Sequence, residues 1–153
     1  MALRDTRFDG DVIPVSFAGN SPDTPDHFIT QDGLEYAGNH VIIDLWQASR
    51  LNDVPYMEKV LRKVVEACGA TLLHIHLHHF TPTGVSGVAV LAESHISVHT
   101  WPERQFAAFD VFMCGDAKPE LAVPILQEAF AAARVEVNTI RRGLVAEQIR
   151  EAV

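Results

Sequence analysis

Leu91-Ala-Glu-Ser-His-Ile-Ser-Val-His-Thr-Trp-Pro-Glu103 sits at the centre of the chain and sets its architecture. His95, Ser97 and His99 alternate with Ile96 and Val98. That period of two describes a strand with one apolar face and one polar face. A face that only covers a core has no use for a row of hydroxyl and imidazole groups, whereas a site does. Pro102 ends the run, since it has no N–H to give to a ladder.

The flanking segments supply partners for this strand. Downstream, Ala107 to Met113 is predicted as a strand, with Phe109, Val111 and Met113 on one side and Ala108, Asp110, Phe112 and then Cys114 in the opposite phase. Gly115-Asp116 turns the chain into a predicted helix over Lys118 to Ala132, with an apolar stripe of Leu121, Ile125, Ala129 and Phe130 and with Pro124 inside it. Val135 to Ile140 is a last strand, and the tail from Leu144 is helical in composition. Upstream, Thr81 to Gly87 reads as a turn and Val88 to Ala92 as a short strand. In Ala70 to Phe80, Leu73, Ile75 and Leu77 are expected on one face and His74, His76 and His78 on the other. Asn52 or Asp53 caps an amphipathic helix of Val54, Met57, Leu61, Val64 and Cys68, with Pro55 in its first turn and Gly69 at its end. Asn39 to Trp46 is the first strand. Residues 1–38 are rich in Pro, Gly, Asp, Ser and Thr and read as an N-terminal extension, with a short strand at Val12 to Phe17. Strand, helix, several strands, helix, strand implies an α+β two-layer sandwich: a mostly antiparallel sheet with helices on one face, forming a single domain over 39–153.

With 153 residues, 48% of them hydrophobic, the chain is long enough for one domain with a real core. A net charge of -8, from 12 basic and 20 acidic residues, argues against nucleic acid as a partner. No apolar run is long enough to span a bilayer, and the start of the chain lacks the apolar stretch of a secretion signal. Two cysteines, Cys68 and Cys114, make no disulfide framework, so a cytoplasmic location is expected.

The chemistry of the central stretch has several readings. His74, His76 and His78 alternate along one strand and make a possible transition-metal row. Ser94 or Cys114 with His99 as base is the minimum of a hydrolase, but no Gly-x-Ser-x-Gly elbow surrounds Ser94, and no glycine beside it frees backbone for an oxyanion hole. Histidines and aromatics lining a binding cleft are a third reading. A fourth starts at the Glu93–Ser94 bond. A serine at a strained turn attacks the carbonyl before it, turning amide into ester. A base then removes the serine α-proton and expels the upstream chain. What remains is an N-terminal pyruvoyl ketone, able to form a Schiff base with an amine and accept electrons as pyridoxal phosphate does.

Ala92-Glu-Ser-His-Ile-Ser-Val-His-Thr-Trp-Pro-Glu103, Phe109-Asp-Val-Phe-Met-Cys-Gly115, Gly84-Val-Ser-Gly87 and Asn39-His-Val-Ile-Ile-Asp-Leu45 together resemble the prokaryotic short form of S-adenosylmethionine decarboxylase over roughly residues 39–142. The resemblance implies self-cleavage between Glu93 and Ser94 into a β chain of 1–93 and an α chain of 94–153, with Ser94 becoming the pyruvoyl group. It makes His99 the processing base, Ser86 the hydroxyl that assists the acyl shift, and Cys114 the proton donor to the substrate carbon. It matches Phe80 and Trp101 to aromatics that stack adenine and Glu103 to a substrate-binding carboxylate. It implies a homodimer of processed protomers, no metal and no pyridoxal phosphate, and decarboxylated S-adenosylmethionine as the aminopropyl donor for spermidine synthesis. A relative acting on ornithine or arginine would use the same machinery and differ only in its pocket.

Overall fold

The computed structural model describes residues 27–145. The short strand expected at Val12 to Phe17 and the helical tail past residue 145 lie outside them. Among the described residues the elements are β1 (Ile29–Gln31), β2 (Leu34–Tyr36), β3 (Gly38–Trp46), α1 (Val54–Ala67), β4 (Leu72–His79), β5 (Val85–Leu91), β6 (Ser94–Trp101), β7 (Phe106–Met113), α2 (Ala122–Ala129) and β8 (Arg134–Arg142). Six of the strands form one sheet in the order β4-β5-β6-β7-β3-β8, and every neighbouring pair is antiparallel.

The period of two sorts the sheet into faces. Val41, Ile43 and Leu45 of β3, Ile96 and Val98 of β6, and Phe109, Val111 and Met113 of β7 are all buried. Met57, Leu61 and Val64 of α1, Ala122 and Leu126 of α2, and Phe130 directly after it cover that face in the same core. Fully burying one such large aliphatic or aromatic side chain favours folding by about 1.5–3 kcal/mol. Asp53 caps α1 by accepting the Tyr56 N–H at 3.0 Å, while Asn52 accepts the Gly84 N–H at 2.8 Å and ties the β4–β5 connection down. The α+β two-layer sandwich is therefore as expected, and among the described residues no helix covers the second sheet face.

Three local expectations are corrected. The segment ahead of residue 39 is not wholly irregular: β1 and β2 pair across the two-residue loop Asp32-Gly33, and Tyr36 is fully buried. Both loop residues have positive φ, 54° and 74°, as a two-residue hairpin favours. The Asp-Gly pair was the signal for it. In β4 the register shifts between Leu72 and His74, so Leu72 turns inward and Leu73 is 64% exposed instead of sharing a face with Ile75 and Leu77. The helix expected over Lys118 to Ala132 is a 3₁₀ turn at Pro119–Leu121 followed by α2. Its buried stripe is Ala122, Leu126 and Phe130, with Leu121 exposed. Pro124 falls in the first turn of α2, where an N–H has no intrahelical partner to lose.

Candidate active site

Ser94 begins β6 directly after the two-residue loop Ala92-Glu93, with Leu91 and Ser94 as the closing pair. A loop of this length normally places positive φ on its own two residues, using Asn or Gly. Neither Ala92 nor Glu93 does so. Ser94 takes φ +152° instead, a backbone conformation that is strained for anything but glycine. The mismatch between turn and strand is thus concentrated on the bond that the sequence singled out.

Glu93 is held through both its backbone and its side chain. The Glu93 carbonyl accepts the Cys114 N–H at 3.1 Å and the Cys114 thiol at 2.9 Å. The Glu93 carboxylate accepts the Thr71 N–H at 2.8 Å and the Thr71 hydroxyl at 3.1 Å, and the Thr71 carbonyl accepts the Ala92 N–H. Ser94 Oγ lies 3.1 Å from His95 Nδ1. A cavity of about 310 Å3 opens beside the junction, with Glu93 and Cys114 in its wall. Burial holds the Cys114 thiol above its ordinary pKa, its own backbone N–H pulling the other way and the Glu93 carboxylate adding a further push upward. No donor pair near Ser94 was legible from the residues beside it, because no glycine adjoins it. The donors come from the end of β7, which pairing with β6 carries there: Ser94 opposes Met113.

The other expected residues gather elsewhere. Ser86 faces His99 across the β5–β6 ladder. The His99 ring lies 4.3 Å from that of Trp101 and 5.8 Å from that of Phe80. Phe106 stacks on Trp101 at 5.2 Å and on Trp46 at 4.3 Å, extending the aromatic row across three strands. Glu103 follows in the exposed 3₁₀ turn Pro102–Arg104. Gly87 lets β4 come close here: a Cβ on it would sit 2.3 Å from the His76 carbonyl oxygen. Ser86, His99 and Trp101 occupy the open face of the sheet, whereas Ser94 stands at the start of β6, paired with the buried Leu91 and Met113. Five residues separate Ser94 from His99 along β6, roughly 16 Å at about 3.3 Å per residue. Within one chain His99 therefore does not reach the bond it is expected to process.

The remaining polar groups of this face differ from a metal centre. His74, His76 and His78 are exposed along the outer strand of the sheet, and among the described residues no three His, Cys, Asp or Glu side chains converge as a metal requires. Asp110 accepts the Ser97 hydroxyl at 3.0 Å and lies 3.2 Å from His40 Nε2. Asp44 has its pKa raised by burial and by the neighbouring carboxylates of Glu136 and Asp110. Among the described residues no helix is long and apolar enough to cross a membrane.

These features define a class: a two-layer α+β sandwich with a strained serine junction at the start of a central strand. The chain belongs to the S-adenosylmethionine decarboxylase family, whose sequence model matches residues 39–143. It is 47% identical over 115 residues to the S-adenosylmethionine decarboxylase proenzyme of Methanococcus maripaludis, covering 73% of this chain and 94% of that one. To the proenzyme of Thermomicrobium roseum it is 43% identical over 116 residues, covering 74% of this chain and all of the relative. The crystal structure of the adenosylmethionine decarboxylase from Aquifex aeolicus superposes with a TM-score of 0.68 at 33% identity, over 73% of this chain and 95% of that one.

Proposed function

We propose that this protein decarboxylates S-adenosylmethionine with a pyruvoyl group made from its own Ser94. The observation that carries the reading is the Glu93–Ser94 junction, where a strained serine follows a carbonyl that already accepts two hydrogen bonds. The junction fits the group it would become, since those two donors are placed for the oxygen that gains negative charge when Oγ attacks.

Maturation has two balanced stages. Ser94 Oγ bonds to the Glu93 carbonyl carbon, the C–N bond breaks, and the proton from Oγ ends on the freed amine. A base then takes the Ser94 α-proton, the Cβ–Oγ bond breaks, and Glu93 leaves as the carboxylate end of the β chain. Tautomerisation and hydrolysis of the dehydroalanine left behind release ammonia and leave the ketone. The pyruvoyl ketone, once formed, supplies the electron sink that allows carbon dioxide to depart. Cys114, a thiol that is protonated at neutral pH and that burial holds further above its ordinary pKa, returns a proton to the substrate carbon in this reading. Trp101 and Phe80 offer aromatic faces to an adenine ring and a sulfonium cation, and Glu103 adds a carboxylate.

The separation of the two residue groups supports a homodimer with composite sites. Phe80, Trp101, Val90 and Ile140 are 37–45% exposed on the open face, which the helices do not cover. Two copies packed sheet to sheet about a two-fold axis across the strands would set the Ser94 end of one against the Ser86–His99–Trp101 end of the other. In this arrangement His99 acts on the partner's junction. The reading also places the enzyme in a reducing cytoplasm, in keeping with two free thiols.

Intact mass tests the cleavage, with pieces of residues 1–93 and 94–153 expected. Ser94→Ala is expected to give one uncut chain without activity, and normal turnover by it would exclude the mechanism. Carbon dioxide release from S-adenosylmethionine, ornithine and arginine in parallel tests the substrate, and release from either amino acid alone would reassign it.

A further inference from the structure

The hydroxyl of Ser94 needs a base before it can attack, and His99 is roughly 16 Å from it along the strand. His95 is already in contact: Ser94 Oγ and His95 Nδ1 are 3.1 Å apart. In the tautomer protonated on Nε2, Nδ1 accepts the hydroxyl hydrogen, the arrangement a general base requires. The half-buried ring is held edge-on against Phe112, with centroids 5.9 Å apart, and its cross-strand neighbours are Val90 and Phe112. Those apolar flanks fix the imidazole over the start of β6. The acceptor of the attack is fixed as well, because Cys114 holds the Glu93 carbonyl and Thr71 its carboxylate.

We propose that His95 is the base of the acyl shift, and that maturation uses two histidines for two different proton transfers. This rests on the self-cleavage reading above and assigns its first step. His95 Nδ1 takes the Oγ proton as the Oγ–carbon bond forms. It delivers that proton to the Ser94 nitrogen as the carbon–nitrogen bond breaks. An amide becomes an ester with no water consumed and no change of oxidation state. The α-proton removal that follows is left to His99, so the two histidines control separable stages.

The unchanged chain, His95→Asn and His99→Asn are purified and their intact masses read before and after neutral hydroxylamine, which cleaves esters and spares amides. Asn keeps an acceptor close to the place of Nδ1 but takes no proton. His99→Asn is expected as one mass that hydroxylamine splits after residue 93. His95→Asn is expected as one mass that hydroxylamine leaves whole, with its cleavage slowed by about 100-fold or more, the usual scale of a lost general base. Added imidazole is expected to speed cleavage of His95→Ala, which loss of packing alone does not produce. Cleavage of His95→Asn at the unchanged rate, an ester trapped in that variant, or no imidazole response in a His95→Ala chain that still unfolds cooperatively would each overturn the assignment. An unchanged chain that stays whole would instead overturn self-cleavage itself.

Discussion

Cys114 carries two jobs at one position, and its pH behaviour separates them. Its N–H and thiol hold the Glu93 carbonyl, and burial keeps the thiol protonated above the ordinary thiol range of about 8.5. The alkaline fall of kcat in matured enzyme is therefore expected above that range. In Cys114→Ala it is expected to vanish along with about a hundredfold of kcat; a pH–rate profile of both proteins measures it. Cys68 is the buried counterpart without a site: burial pushes its thiol from 9.0 up to about 11. Below pH 9.0 the thiol is protonated in both folded and unfolded chains, and its contribution does not change. Between there and about 11 only the unfolded chain gives up the proton, so stability falls as pH rises. Thermal unfolding of Ser94→Ala, a single uncut chain, is expected to weaken over that window, and less so with Cys68→Ala added. Both cysteines were visible in the sequence, but their difference was not, because it lies in the atoms around each sulfur.

Two hairpins of equal loop length show how an element directs strain. Asp32-Gly33 takes positive φ on the loop itself and leaves β1 and β2 relaxed. Ala92-Glu93 has no residue suited to that, and the burden passes to Ser94. Thr71, just ahead of β4, then holds the loop with three hydrogen bonds. Thr71→Val removes one of them and is expected to slow cleavage several-fold, while Thr71→Ser keeps the rate; a time course of intact mass decides. Strands and helix types were legible from periodicity and caps, as with β3, α1, β6 and β7. The bulge at Leu73 and the one-residue shift of the α2 stripe were not, since Leu and Ala satisfy either phase until neighbouring elements choose one. The role of Thr71 was equally hidden, because twenty-two residues separate it from Glu93.

At the scale of the molecule one sheet face is left open by the described helices, and mixing inactive chains tests whether a second copy covers it. If His99 serves the partner's junction, neither Ser94→Ala nor His99→Ala cleaves as a homodimer. Co-expressed, they are expected to cleave only the His99→Ala chain, whose Ser94 meets the intact His99 of the other. No cleavage in the mixture would return every residue of the site to one chain. The chemical repertoire was written in the order of residues alone: a serine after Glu93, histidines at alternate positions, a cysteine beyond the next strand and aromatics at the far end. Strand periodicity put His95, Ser97 and His99 on one face, because side chains along a strand must alternate. How far apart those groups would act was not written there. Sheet pairing brought Cys114 and Thr71 to Glu93 from distant segments, and strand rise set His99 away from Ser94. Both outcomes follow from register and from length in space, which a chain acquires only when its strands are paired.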